Sequence, residues 1–306
     1  MKIIDGHAHL VQTIAGFTAK GELRACGGGY ASNGAGERIF MIPPQLGETT
    51  VTPEALLAVM DDCQVEKAVL LQGTYFGFQN DYTSEAVKKY PSRFIGAAAY
   101  DPFCAQKDAI RAHLFDELQF KILKLEVSGG CGLSSYHPDL NLDGEQMHEV
   151  YRDAARRGLT LVMDIGRPGM QCWQVDALAQ AVRRYPEMHF VICHLTAPQL
   201  GDGEKLKYAL DKLCLDNVWF DLAALCSNTR PEAYPYPTAR RYVHDALNIL
   251  GSERLIWGSD IPSTMTRDSY RHLIDYLALD PALSTEEKEN IFYKNALKLY
   301  FENTLF

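Results

Sequence analysis

Short apolar runs alternate along the chain with stretches of helical period. The runs Lys2–Asp5, Lys67–Gln72, Phe94–Tyr100, Ile122–Val127, Thr160–Asp164, His189–His194, Val218–Leu222 and Leu255–Trp257 read as buried strands. Between them, apolar positions recur three and four residues apart over Pro53–Cys63, Ser84–Tyr90, Gln106–Leu118, Gly144–Arg157, Trp173–Tyr185, Gly203–Leu213 and Thr238–Leu250. That period lets a helix bury one face. A last helix is expected over Ser284–Glu302, opened by a Ser-x-x-Glu capping box at Ser284 and Glu287. Thr52 caps the first helix, with Pro53 and Glu54 in its first turn, where a missing N–H costs nothing and a negative charge suits the helix dipole.

From the second strand on, successive strand starts lie 27 to 38 residues apart, the length of a strand–helix unit. Strict alternation requires parallel strands, and eight units predict closure into a (β/α)8 TIM barrel. The expected architecture is one domain over residues 1–306, with a long loop insertion after strand 1 and a C-terminal helix. An open doubly wound sheet is the alternative, but it usually has fewer strands and a glycine-rich first turn. The glycine-dense stretch Cys26–Gly36 lacks the Lys-Ser/Thr of a phosphate loop and does not run from a strand into a helix. It reads as a mobile surface loop or as a lid over the strand ends.

Composition narrows the function classes. The 306 residues are 47% hydrophobic and 23% charged, as in ordinary soluble enzymes. No apolar run approaches the ~20 residues that span a bilayer, and the first residues are too short a stretch for a signal peptide. A net charge of −9 argues against a nucleic-acid partner. Eight cysteines without a C-x-x-C pair read as small buried residues in a reducing cytoplasm. A small-molecule substrate is the expected partner.

The chemistry lies where the strands end. In Asp5-Gly6-His7-Ala8-His9 the two histidines are two apart, so on extended backbone both reach one centre and suit a divalent metal. Asp260 follows the eighth strand in Gly258-Ser259-Asp260-Ile261-Pro262, where it could cap a turn or act on a metal-activated water. His194 ends strand six and Asp164 ends strand five, while Lys124 and Glu126 alternate onto one face of strand four. Singly, each has a bland reading as a packed or capping residue. Together they put ionisable groups at the one end of a barrel where active sites form. Asp221 reads as a barrel or cap residue. Gln72 and Tyr75 near strand two, Lys124, and Arg167 after strand five are candidates for substrate binding, the arginine by bidentate contact with a carboxylate.

These motifs resemble the amidohydrolase superfamily, in particular the branch that holds aminocarboxymuconate semialdehyde decarboxylase, aromatic-acid decarboxylases and pyrone-dicarboxylate lactonase. The resemblance runs nearly end to end. It is carried by Ile4–His9, Met60–Val69, Tyr90–Gly96, Asp101-Pro102, His194-Leu195, Asn217–Asp221, Gly258–Pro262 and Ile291–Tyr300. It implies that His7 and His9 are metal ligands, that His194 is the sixth-strand histidine and that Asp260 is the eighth-strand acid. Family members commonly end strand five with a histidine, where this chain has Asp164. Asp164 then serves as an anionic ligand with help from Glu126, or the metal is lost, as in the lactonase branch.

The function expected is metal-dependent hydrolysis of an amide, ester or lactone carbonyl in a small, carboxylated substrate. The cofactor expected is one divalent metal, Zn2+, with Mn2+ as the alternative. Asp260, a ligand as well, acts as general base and His194 as the group that polarises the carbonyl. A metal-dependent carboxy-lyase and a metal-independent lactonase are the alternatives, and a non-enzymatic binding module is a third reading. Family habit and loop length suggest a homodimer.

Overall fold

The computed structural model describes residues 1–302. Eight of its strands are mutually parallel: β1 (Ile4–Ala8), β6 (Lys67–Leu70), β7 (Phe94–Gly96), β8 (Ile122–Glu126), β9 (Thr160–Asp164), β10 (Phe190–Ile192), β11 (Val218–Asp221) and β12 (Leu255–Ile256). They pair in chain order, first β1-β6-β7 and then β8 through β12. Two seams close the ring. Ala98, just beyond β7, bridges to Leu123, and Lys124 N–H donates to Ala98 O at 2.8 Å. Across the other seam, Gly6 N–H donates to Trp257 O at 3.0 Å and His9 N–H to Ile261 O at 2.9 Å. The result is a (β/α)8 barrel.

Alternation along each strand decides what fills it. Ile4, Val69, Ala97, Ile122, Val162, Val191 and Ile256 pack together inside the barrel, sealed by Ala296, Leu299 and Tyr300 of the terminal helical segment. Two residues on, the same inward face carries Lys124, Asp164 and Cys193. The interior therefore turns from apolar to ionisable toward the C-terminal ends of the strands. Outward residues such as Leu123, Leu161, Met163 and Phe220 pack against the surrounding helices, among them Glu145–Arg156, Val175–Arg184 and Gly203–Leu213. Both anticipated caps form: Ala55 N–H donates to Thr52 Oγ1, and Ser284 and Glu287 close a capping box.

Three expectations need correction. The insertion after strand 1 is not a loop. It folds as an antiparallel sheet of β2 (Ala15–Thr18), β3 (Gly21–Gly27), β4 (Tyr30–Asn33) and β5 (Arg38–Phe40). Leu23 and Ala25 turn inward while Glu22, Arg24 and Cys26 turn outward. The glycines serve a turn: Gly27, Gly28 and Gly29 have φ of 86°, 59° and 80°, a region that other residues enter at a cost. Secondly, a helix over Tyr270–Ala278, capped by Ser269, follows β12 where none was anticipated. Thirdly, the cysteines are not uniformly buried, since Cys26 and Cys214 are exposed. No helix among the described residues is long and apolar enough to cross a membrane.

The small sheet is tied to the barrel. Phe17 N–H donates to Thr74 O at 2.8 Å, Ala15 N–H to Phe76 O at 3.0 Å and Ala19 N–H to Gly130 O at 3.0 Å. It thereby braces the loops after β6 and β8. Hydrogen exchange should accordingly find the amides of β3 and β4 slow to exchange in the ligand-free protein. Exchange within seconds across Leu23–Ala31 would restore the mobile lid.

Candidate active site

The two first-strand histidines reach the barrel interior because β1 breaks its own alternation. Ile4 faces in and Asp5 faces out, so regular pleating would turn His7 outward. A register shift between Asp5 and Ala8 reverses the parity, and both His7 and His9 line a cavity of about 250 Å3 at the C-terminal end of the barrel. Asp5 anchors this passage. Its carboxylate accepts from His7 N–H at 3.1 Å, from Ser259 N–H at 2.9 Å, from the Ser259 hydroxyl at 2.5 Å and from the Tyr270 hydroxyl at 2.8 Å. Burial lifts its pKa to about 6 against these donors. Each residue of Gly258-Ser259-Asp260 has a task. A Cβ on Gly258 would stand 2.7 Å from His7 Cβ, so only glycine lets the eighth strand pass. Ser259 grips Asp5. Asp260 N–H donates to His7 O at 2.7 Å, which turns its carboxylate toward the histidines.

Three imidazoles are fixed in the same tautomer. His7 Nδ1 lies 3.0 Å from Asp221 Oδ2, His9 Nδ1 lies 2.9 Å from Leu71 O, and His194 Nδ1 lies 3.0 Å from Ala223 O. Every one of those partners only accepts, so every Nδ1 donates. In the neutral rings Nε2 is then bare. His9 Nε2 nevertheless faces Asp260 Oδ1 at 3.0 Å, and His7 Nε2 faces the same oxygen at 3.7 Å. Acceptors brought so close require a proton or a metal ion between them. His7, His9 and Asp260 offer ligand atoms all within 4.8 Å of one another. A second such group, His7, His194 and Asp221, shares His7 but spends its Nδ1 on Asp221. Asp221 thus orients His7, in the carboxylate–histidine arrangement found around many metals.

The electrostatics agree with that donor set. Burial pulls the His7 pKa down to about 4, more than Asp221 raises it, and leaves the neutral ring that a metal needs. For Asp260, burial is outweighed by the His9 hydrogen bond and the neighbouring imidazoles, which hold its pKa at about 2. Burial likewise loses at Asp221, where His7 and His194 press the pKa down. Burial and the charge of Asp164 push Glu126 up. At Lys124, burial is overcome by Cys193 and the carboxylates of Asp164, Glu126 and Asp221, and the ammonium keeps its proton. For His194, burial is overcome by Asp164, Asp221 and Asp260, which raise its pKa.

Gln72, Tyr75, Lys124, Glu126, Asp164, His194 and Asp260 all line the same cavity as His7 and His9. Asp164 Oδ2 stands 3.6 Å from His194 Nε2, outside both groups of converging ligand atoms. Glu126 accepts from the Cys131 thiol at 2.8 Å and from Tyr75 N–H at 3.3 Å, so both of its oxygens are engaged away from the histidines. Arg167 is a correction: it is exposed and outside the lining, because the chain turns away at Gly166, whose N–H donates to Asp164 Oδ1 at 2.8 Å. Arg230, on the loop after β11, is the arginine at the cavity. Sequence reasoning passed over Arg230, Cys131 and the role of Asp221. Asp221 carries the same signal as Asp164, an acid closing an apolar run.

The family model for Amidohydrolase matches residues 4–301. The chain belongs to the amidohydrolase family. Among curated proteins it is 31% identical over 137 residues to an L-fucono-1,5-lactonase of Burkholderia ambifaria, an alignment covering 41% of this chain and 46% of the relative. The chain thus spans about half the length of that relative. Among solved structures, an amidohydrolase of Burkholderia multivorans with bound zinc superposes with a TM-score of 0.71 at 16% identity, covering 97% of this chain and 98% of that one. A probable 2-pyrone-4,6-dicarboxylic acid hydrolase of Acinetobacter baumannii, with citric acid bound, gives 0.69 at 18% identity over 98% and 99% of the two chains. At these identities the structures bear on the fold.

Asp221→Asn tests the orienting contact. The amide keeps the shape but can turn its NH2 toward His7. Zinc affinity measured by titration should fall about 10- to 100-fold, the usual cost of losing such a partner, with far-UV circular dichroism unchanged.

Proposed function

We propose that this protein is a metal-dependent hydrolase that cleaves an ester, lactone or amide bond of a small polar molecule. The observation that carries the reading is the convergence of two bare Nε2 atoms, on His7 and His9, upon one carboxylate oxygen of Asp260. Three donors with neutral nitrogens suit zinc, and manganese is the alternative. The zinc in a structural relative and the lactonase among the sequence relatives support the same reading.

A divalent ion at this centre supplies Lewis acidity that lowers the pKa of water and polarises a carbonyl. The residues do the rest. Asp260, ionised and facing the cavity, accepts the proton of the attacking water and returns it to the leaving oxygen or nitrogen. His194 stacks on His7 with ring centroids 4.9 Å apart, and its Nε2 points toward Asp164 and the cavity. In its protonated form, which the surrounding carboxylates favour, it is placed to donate a hydrogen bond from Nε2 to a carbonyl oxygen as charge develops there. Lys124 holds its charge among Asp164 and Glu126 and positions polar groups of the substrate. Asp5 and Asp221, buried and out of reach of substrate, keep the two ends of this arrangement in register. On this reading the protein works in the cytoplasm on a small molecule, without nucleic acid or membrane.

Asp260→Asn preserves shape and removes the proton acceptor. Steady-state rates on any ester or lactone that is turned over should fall by ~100-fold or more. His7→Ala should lose stoichiometric zinc or manganese by elemental analysis while the barrel stays folded. Metal-free wild-type protein with full activity after metal supplementation and chelation would overturn the metal. Turnover in 18O-labelled water should put label into the acid product, whereas release of CO2 without label would replace hydrolysis by decarboxylation.

A further inference from the structure

The loop after β6, residues 73–77, is held from two sides. On one side it is pinned to the end of β8 and the loop beyond: Tyr75 N–H donates to Glu126 Oε2 at 3.3 Å, and the Thr74 hydroxyl donates to Cys131 O. On the other side lies β2 of the inserted sheet. Phe17 N–H donates to Thr74 O at 2.8 Å and Ala15 N–H to Phe76 O at 3.0 Å. Between them Gly16 passes so close that a Cβ there would run into the carbonyl oxygens of Tyr75 and Thr74. The aromatic rings of the loop lie over the first-strand histidine. Phe76 packs on His9 with ring centroids 5.7 Å apart, and Tyr75 packs on Phe76 at 5.5 Å. Tyr75 thereby lines the cavity that holds His7, His9 and Asp260.

The polar groups around this loop are spent, with one exception. Gln72 Nε2 donates to Ala97 O at 2.7 Å and to Asn80 Oδ1 at 3.2 Å, and Gln72 Oε1 accepts from Gln79 N–H. The Thr74 hydroxyl is taken by Cys131 O. The Tyr75 hydroxyl has no hydrogen-bond partner among the described residues. Burial, then Cys131, Glu126 and Asp260, push its pKa up against the pull of Arg230, so the phenol keeps its proton and is a donor. A donor without an acceptor, on a loop braced from both sides, is satisfied once a ligand supplies the oxygen. We propose that Tyr75 contacts the substrate, its hydroxyl donating to an uncharged oxygen of the bound ester, lactone or amide, and that the β2–β5 sheet positions it through Gly16. This rests on the hydrolytic reading and adds a residue to it. A carboxylate at that point would meet the like charges of Glu126 and Asp260 against the one unlike charge of Arg230. A carbonyl, ring or hydroxyl oxygen meets no such repulsion.

Tyr75→Phe removes the oxygen and keeps the ring. With δ-valerolactone and the zinc-loaded enzyme, kcat/KM should fall about 3- to 10-fold, the range that one hydrogen bond sets. Gly16→Ala should push the loop aside and cost a similar factor. In the double variant the two losses should not add, because the second change acts only through the first. Additive losses would make Gly16 a packing residue and overturn the positioning role. Binding is read apart from turnover. In protein labelled with 3-fluorotyrosine, Tyr75 gives the 19F resonance that Tyr75→Phe removes. That resonance should move when δ-valerolactam, an uncharged analogue that resists hydrolysis, is added, and Gly16→Ala should move it without ligand. A Tyr75 resonance that the lactam leaves unmoved overturns the contact, and continued turnover of δ-valerolactone would then leave the hydrolytic reading intact. A lactam-dependent shift in a protein that hydrolyses neither δ-valerolactone nor p-nitrophenyl acetate leaves the contact standing and removes the hydrolytic reading.

Discussion

The Asp221 carboxylate holds the site together. One oxygen takes the Nδ1 proton of His7 at 3.0 Å, and the other takes His194 N–H at 2.8 Å and Ala223 N–H at 3.1 Å. The second set of contacts stabilises an unusual stretch of chain. His194, Leu195, Thr196 and Ala197 all have φ between 52° and 64°. Left-handed backbone costs roughly 1–2 kcal/mol for each such residue, and the hydrogen bonds from His194 N–H and Ala223 N–H to Asp221 offset part of it. The turn brings the His194 ring over His7 and directs its Nδ1 to Ala223 O. One buried anion thus selects the tautomer of a first-strand histidine and fixes the ring beside it.

A second constraint is charge. Glu126, Asp164, Asp221 and Asp260 crowd one end of the barrel, with Lys124 as the lysine among them. Buried carboxylates in such excess repel one another and raise the cost of folding the site empty. Two features offset it, the Lys124 ammonium and the thiol and backbone N–H donors spent on Glu126, and a cation held by His7, His9 and Asp260 would be a third. A divalent ion at the histidines would relieve the acids around it.

Much of this was legible in the sequence wherever a residue's role follows from its own strand. The limits of β9 and of the helix Gly203–Leu213 coincide with the apolar and helical patterns. His9, Asp164, His194 and Asp260 lie at or just beyond strand ends, so a barrel puts them at one mouth. What depends on distant contacts was not legible. The register shift that turns His7 inward comes from Asp5 binding Ser259 and Tyr270, more than 250 residues away in sequence. Glycines that looked like a flexible loop instead serve hairpin turns, because β2 finds hydrogen-bond partners in the loops after β6 and β8. Arg167 and Arg230 both follow barrel strands, and only the path of each loop decides which one reaches the cavity. Asp221 shared its signal with Asp164, but a capping role and an orienting role look alike until the histidine it serves is in place.

Asp164 itself shows how the site accommodates a change. The superfamily resemblance leads one to expect a histidine there, a neutral ring whose nitrogen could join the metal. A carboxylate at that position adds a negative charge deep in the barrel, which is costly unless cations are near. Lys124, two residues before Glu126 on the neighbouring strand β8, supplies one, and His194 Nε2 at 3.6 Å supplies another when that ring is protonated. The partnership works in both directions. Asp164 favours a protonated His194, and a protonated imidazole donates a hydrogen bond through Nε2 instead of ligating through it. Under the proposed function, aspartate on strand five would turn His194 Nε2 toward the substrate, while the Nε2 atoms of His7 and His9 converge on Asp260. The proposed division of labour, with binding on strands one and eight and polarisation on strand six, follows from that exchange.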